Sequence, residues 1–383
     1  MSTVGRTDAS LAPALESAGF VRLVTRGDGD GLAAAGVLAR VLSARGTPFQ
    51  VTVGRTVAER TGRVADVDER DDATVAVAVG AVDADADRLD SSERPATLAA
   101  CDLVRELGER PDPVLALAGA FAAGVEPGAG ETELSLEAAR DRGLLERRPG
   151  VAVPTDDLAD GLAHSTLCRG PWSGDREAVE DALEGLDLPD EPDGDDHRRV
   201  GSLVALDVVG DDDASEGAAE AIGRFLHPLA TPDGPFATIG GYADVLEATA
   251  RAEPGTGVAL AIGHGVEAAA IEAWRTHARR THAALDTAST GRYDGLFVVG
   301  VDGAVETAAR LAASHRSPEP CTLAIGEGEA GLFALEDRPL VGALEAVARE
   351  LDGEYDVGRR RGLLRYDPDV DDATIIATVR ETL

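Results

Sequence analysis

The chain contains no lysine: all 36 basic residues among its 383 are arginine. That absence removes a P-loop lysine, a Schiff-base lysine and a Ser-Lys dyad from the available chemistry. Cysteine is nearly as scarce. Cys101, Cys168 and Cys321 lie far apart with no CxxC spacing, so neither a disulfide framework nor a cysteine zinc site is expected. Aromatic residues make up only 3% of the chain, which leaves Ala, Val and Leu to build its core. Long apolar runs are missing too. The most apolar stretch, Val114 to Val125, is too short and too rich in alanine and glycine to span a bilayer. The N-terminus lacks the basic, then apolar, then small-residue order of a signal peptide. A soluble, cytoplasmic protein with no membrane contact is the expectation.

What the chain has in excess is acid. Seventy Asp plus Glu face the 36 arginines, for a net charge of -34. In dilute buffer such a surface repels nucleic acid and opposes compaction. At about 1 M salt the Debye length shrinks to about 3 Å and the repulsion is screened. An acidic, lysine-free, alanine-rich chain is therefore expected in the cytoplasm of a salt-accumulating, halophilic organism. Its acidity then says little about its ligand. The length allows two or three domains, and 44% apolar residues give each a core.

Periodicity supplies the elements. Phe20 to Thr25 is a short, mostly β-branched run, and Gly31 to Ala44 carries apolar residues at helical spacing. Phe49 to Val53 and Thr74 to Val79 predict further strands; Leu98 to Leu107 and Pro113 to Ala123 predict helices. Alternating strands and helices imply a mostly parallel sheet in an α/β domain. Residues 187–199 (DLPDEPDGDDHRR) form an acidic, proline-bearing linker without periodicity. Ser202 to Val209 starts a second α/β region, which includes a long amphipathic helix from Val266 to Leu285. A third unit begins near Tyr293, with a strand, a helix, a strand, a hairpin and two further helices. Gly326 to Gly331 fits GxGxxG, yet Glu327 and Glu329 would repel a pyrophosphate, and a hairpin turn is expected there instead.

The motif with the most chemistry is Thr25-Arg-Gly-Asp-Gly-Asp-Gly31, between the first strand and its helix. Asp28 and Asp30, two residues apart on a loop, can converge on one hard divalent cation, since Mg²⁺ and Mn²⁺ prefer oxygen ligands. The glycines allow a sharp turn, and the helix N-terminus favours anions. A solvated turn with Asp30 as N-cap explains the same residues without a metal. An EF-hand loop does not fit, because Leu32, Ala33 and Ala39 stand where it needs a ligand, a glycine and a bidentate glutamate.

Strand, then RGDGDGLAAAGVLARVL, resembles the first motif of the DHH phosphoesterases, specifically their archaeal RecJ-like exonuclease branch. Pro95 to Gly124 resembles the paired helices after that family's DHH signature. GEYDVGRRRGLLRYD resembles the glycine-rich loop and strand of its DHH-associated domain. The resemblance implies an α/β, two-lobed fold of parallel and mixed sheets with flanking helices and an inserted α/β region. The implied domains are a DHH-like domain over 1–186, the linker over 187–199, the insert over 200–290 and a DHH-associated domain over 291–383. It also implies a two-metal phosphoesterase acting on single-stranded DNA or RNA, with replicative helicase components as partners. Only Asp28 and Asp30 match the metal motifs. Where the family ends a strand in Asp or Asp-His-His, this chain has Val79, Gly80 and Ala81, and Gly119 to Gly124 stands where a further Asp is placed.

Two carboxylates do not neutralise two dications about 4 Å apart. No histidine pair compensates, because His277 and His282 are five apart on a helix, His264 reads as a turn or cap residue in a loop, and His164 and His315 are isolated. At most one Mn²⁺ or Mg²⁺ is expected, with reduced or lost hydrolysis. The alternative is an active exonuclease or phosphodiesterase that recruits Asp83 or Asp207. Arginines then mark the candidate nucleic-acid surface. Arg359, Arg360 and Arg361, with Arg365, lie in a loop flanked by Gly358 and Gly362. A second cluster is Arg275, Arg279 and Arg280. Arginine binds phosphate and stacks on bases. Against this, most arginines in so acidic a chain are expected in ion pairs.

Overall fold

The computed structural model describes residues 11–66, 73–89, 94–189 and 192–383. Residues 190 and 191 of the expected linker, and the first ten residues read for a signal peptide, lie outside the described residues. The chain divides into two units, 1–142 with 245–271 and 143–244 with 272–383. Among the described residues, no helix is long and apolar enough to cross a membrane.

In chain order the first unit holds α1 (Ala12–Ser17), β1 (Phe20–Arg26), α2 (Gly29–Arg45), β2 (Phe49–Gly54), α3 (Val57–Ala65), β3 (Thr74–Val79), β4 (Asp87–Leu89), α4 (Ala96–Glu106), α5 (Pro113–Ala122) and α6 (Glu133–Asp141). The strands pair in the order β2-β1-β3-β4, all parallel. The central strand β1 buries Val21, Leu23 and Val24 completely, as a strand covered on both faces should. Helix α2 ends at Gly46, whose left-handed φ of 73° lets its N–H reach the carbonyls of Leu42 and Ser43. Small residues let the helices pack closely. A Cβ on Gly119 of α5 would lie 2.4 Å from the Cβ of Ala33 and 2.3 Å from the hydroxyl of Thr97.

The second unit continues with β5 (Glu146–Arg147), α7 (Leu158–His164), α8 (Arg176–Glu184), α9 (Gly194–Val209), α10 (Ala218–Phe225) and β6 (Leu229–Ala230). Helices α11 (Ile239–Ala252), α12 (Pro254–Ile262) and α13 (Glu267–Asp286) follow, with 245–271 belonging to the first unit. The stretch from 200 to about 265 thus differs from the expected reading, while the helix expected over Val266 to Leu285 is α13. Ser202 to Val209 is the second half of α9, and strand content up to residue 288 is limited to β6. The cause lies in the acidic run before it. Asp193 accepts from the N–H groups of Asp195 and Asp196, and Asp196 accepts from that of Asp193, a capping box that starts a helix inside the apparent linker.

The C-terminal part contains β7 (Ser289–Tyr293), β8 (Leu296–Gly300), α14 (Val305–His315), β9 (Cys321–Gly326), β10 (Glu329–Ala334), α15 (Leu340–Glu350), β11 (Glu354–Val357), β12 (Arg361–Arg365) and α16 (Asp372–Thr382). Its sheet runs β11-β12-β10-β9-β8-β7, parallel only between β8 and β9, which α14 connects. Alternating residues divide between two faces. Val298, Leu323, Ile325 and Leu332 pack with Leu344 of α15 and Ile375 of α16. Phe297, Val299, Ala324 and Phe333 pack with Ala308 and Ala312 of α14. Gly326 to Gly331 spans the β9–β10 hairpin, turning at Gly328 with φ 69°. The fold is α/β, with a parallel sheet, a mixed sheet and flanking helices, as expected, and β5 and β6 add a two-stranded antiparallel ribbon.

Candidate functional site

The glycine-aspartate turn lies at the C-terminal end of β1, the end of an open parallel sheet where ligands bind. Asp28, in extended conformation, caps α2: its Oδ1 accepts from the N–H of Gly31 at 2.6 Å. The expected alternative placed Asp30 at that cap, but Asp30 is already inside the helix and turns to α4. Its Oδ2 accepts from the N–H of Ala96 at 2.8 Å, and its Oδ1 from the N–H and hydroxyl of Thr97 at 2.9 and 2.7 Å. Pro95, the cap residue of α4, offers no side-chain acceptor, so Asp30 supplies one from 66 residues away.

Between the two carboxylates lies Arg26. Its Nε is 3.0 Å from Asp28 Oδ2, and one terminal nitrogen donates to Asp30 Oδ2 at 3.3 Å. All three side chains are buried, at 5%, 2% and 1% exposure. Burial pushes the Asp30 carboxyl above its usual range; Arg26 and the Thr97 donors pull it down, while neighbouring Asp28 pushes it up. Room for Arg26 comes from Gly80, just past the end of β3. A Cβ there would lie 2.5 Å from Arg26 Cγ, and φ is 105°. A second buried arginine, Arg60 of α3, closes the neighbouring strand ends by donating to the carbonyls of Ala81 and Gly54, each at 3.0 Å. The amide at the start of α2 is also taken: Gly29 N–H donates at 2.7 Å to Glu247 of α11, which in turn accepts from Arg251 at 2.7 Å.

These residues do not fit a divalent cation. The carboxylates already share an internal monocation, and a dication against the guanidinium would meet strong repulsion in a buried setting. Among the described residues no group of three or more His, Cys, Asp or Glu could hold a metal ion. Thr25 Oγ1, buried beside the turn without a hydrogen-bond partner among the described residues, brings no charge to offset that repulsion. The remaining candidates are elsewhere. Asp83 is exposed in the loop after β3, and Asp207 on α9 accepts from Trp172 at 3.0 Å. Arg26, Thr97 and Glu247 escaped the motif reading. The readable signal was an arginine immediately before the acidic turn, facing a glycine where an acid was expected.

The β11–β12 hairpin carries the other candidate set. Gly358 closes it by donating to the carbonyl of Arg361, and Gly362 is buried against Leu344. Arg359 pairs with Asp337 and Arg365 with Glu329, the latter at 2.8 Å. Arg361 opens β12 opposite Phe333. Arg360 differs. Its guanidinium sits 5.2 Å over the ring of Phe333, with no carboxylate at ion-pair distance among the described residues. Burial, and then nearby Arg224 and Arg359, lower its basicity, while Asp337 and Glu220 work against them. In the second cluster Arg275 is already committed, making two 2.9 Å bonds to Asp160.

Two of the histidines, His164 and His282, are structural in the second unit. His164 lies 3.2 Å from Asp160 and edge-on to Trp274. Trp274 donates to the buried carboxylate of Asp244, which Ser165 and Thr166 also bind. His282 accepts from Arg169 at Nδ1 and donates from Nε2 to the Ser165 carbonyl, at 3.1 and 2.9 Å.

Among known proteins, the fold has a counterpart first. Over 97% of both chains, the structure superposes on CDC45 from Entamoeba histolytica with a TM-score of 0.58 at 7% identity, so the two share a fold. A manganese-bound exonuclease RecJ aligns over 98% of this chain and 93% of its own, with a TM-score of 0.47 and 14% identity. Residues 288–381 match the family described as "Uncharacterized protein rrnAC1427, C-terminal domain". "Uncharacterized protein rrnAC1427" of Haloarcula marismortui is 44% identical over 393 residues, covering the whole of both chains. The chain belongs to the rrnAC1427 family.

Proposed function

We propose that this protein binds single-stranded DNA or RNA through the β11–β12 hairpin and has lost the phosphodiester hydrolysis of RecJ-type enzymes. The observation that carries the reading is Arg360, a guanidinium with no carboxylate at ion-pair distance among the described residues. Stacked on Phe333 beside Arg359, it is held ready for a phosphate or a base. The second support is the commitment of Asp28 and Asp30 to Arg26 and α4, which leaves neither for Mn²⁺ or Mg²⁺. Replicative helicase components are the protein partners this reading favours.

Fluorescence anisotropy with a labelled oligonucleotide in molar KCl tests it, the salt matching an acidic, salt-adapted surface. Arg360→Ala should weaken binding about tenfold, the loss of one stacking contact. Arg359→Ala, already paired, should change it less. Absence of binding, or indifference to Arg360, would overturn the nucleic-acid role. Mn²⁺-dependent cleavage that disappears in an Asp28→Ala, Asp30→Ala variant would overturn the loss of hydrolysis.

A further inference from the structure

We infer that the Arg26 guanidinium is a resident cation standing in for a divalent metal, and that removing this one side chain turns the Asp28–Asp30 turn into a divalent-cation site. The inference is independent of the nucleic-acid reading. Three features point the same way. Arg26 touches both carboxylates, at 3.0 and 3.3 Å, as a bridging ion would. Its alkyl chain occupies space that Gly80 vacates, so the position is shaped for this residue rather than merely filled by it. Glu247 occupies the amide at the start of α2, so a carboxylate stands where a phosphate would otherwise be favoured. Cation and anion of a metal-phosphate site are thus both supplied from within the first unit.

The carboxylates keep their orientation without Arg26. Asp28 is fixed by Gly31, and Asp30 by three donors from Ala96 and Thr97. Deleting the guanidinium therefore leaves two preset anionic ligands around an emptied, buried volume. Hard cations take such oxygen donors, and waters complete their coordination.

The test is thermal melting with and without millimolar MnCl₂, in molar KCl to suppress surface binding to the many other acids. Wild-type Tm should not move with Mn²⁺. Arg26→Ala should melt about 5–10 °C lower, and Mn²⁺ should restore about half of the loss. The double variant Arg26→Ala, Asp28→Asn should gain nothing from Mn²⁺. Lack of any Mn²⁺ response in a folded Arg26→Ala protein would overturn the inference. So would a wild-type Mn²⁺ shift that Asp28→Asn abolishes, since metal would then coexist with Arg26. If Arg26→Ala does not fold, electron paramagnetic resonance of Mn²⁺ with the wild type and with Arg26→Met decides. Binding that Arg26→Met gains supports the inference; binding equal in both overturns it.

Discussion

Acid should unlock the second unit at His282, and the size of the effect follows from its surroundings. The ring is fully buried, and its two hydrogen bonds specify one protonation state. Nε2 must carry the proton given to Ser165, and Nδ1 must be bare to accept from Arg169. Burial, reinforced by the Arg169 charge, lowers the imidazole from 6.5 to about 4. An unfolded His282 takes up a proton near pH 6.5, whereas the folded one resists until pH 4. Stability from this group is therefore complete above pH 6.5 and drains away as the pH falls toward 4. At 1.36 kcal/mol per unit the loss reaches about 3 kcal/mol. Asp244 acts in the opposite sense, since burial raises its carboxyl, and Asp160 acts only below the ordinary carboxylate range. Neither confounds a comparison of wild type with His282→Gln, which removes the titrating ring and leaves both acids in place. Urea titrations in molar KCl from pH 7 to pH 4, followed by tryptophan fluorescence, should show wild type losing about 3 kcal/mol more than the variant. A difference below about 1 kcal/mol would refute the buried neutral imidazole.

Three further outcomes follow from the first unit. Asp30→Asn should cost about 3 kcal/mol in a urea melt, because an amide nitrogen must then face either the α4 amides or Arg26. Gly119→Ala should cost about 1–3 kcal/mol, since the new methyl meets Thr97 and Ala33 at under 2.5 Å. Gly62→Ala, on the exposed side of α3 with open space around it, should raise stability by about 0.5–1 kcal/mol.

The sequence made β1, its turn and α2 readable because a β-branched run, glycines and helical periodicity occur in succession. The C-terminal sheet was readable for the same reason, down to the Gly326–Gly331 hairpin. Residues 143–265 were not, whereas the helix expected over Val266 to Leu285 is α13. Ser202 to Val209 has strand-like composition, but the capping box at Asp193 decides its conformation from outside the apolar run. The turn's chemistry was half legible. Two acids with glycines point to oxygen ligation; which cation they hold depends on Arg26 reaching back between them and on Gly80 leaving space, and no local pattern encodes that pairing.

A cation carried on a side chain has no dissociation constant. Chelators cannot strip it, and potassium at molar concentration cannot displace it by mass action. In a chain with a net charge of -34, Arg26 thus supplies the counter-ion of the joint between β1, α2 and α4 from within the fold.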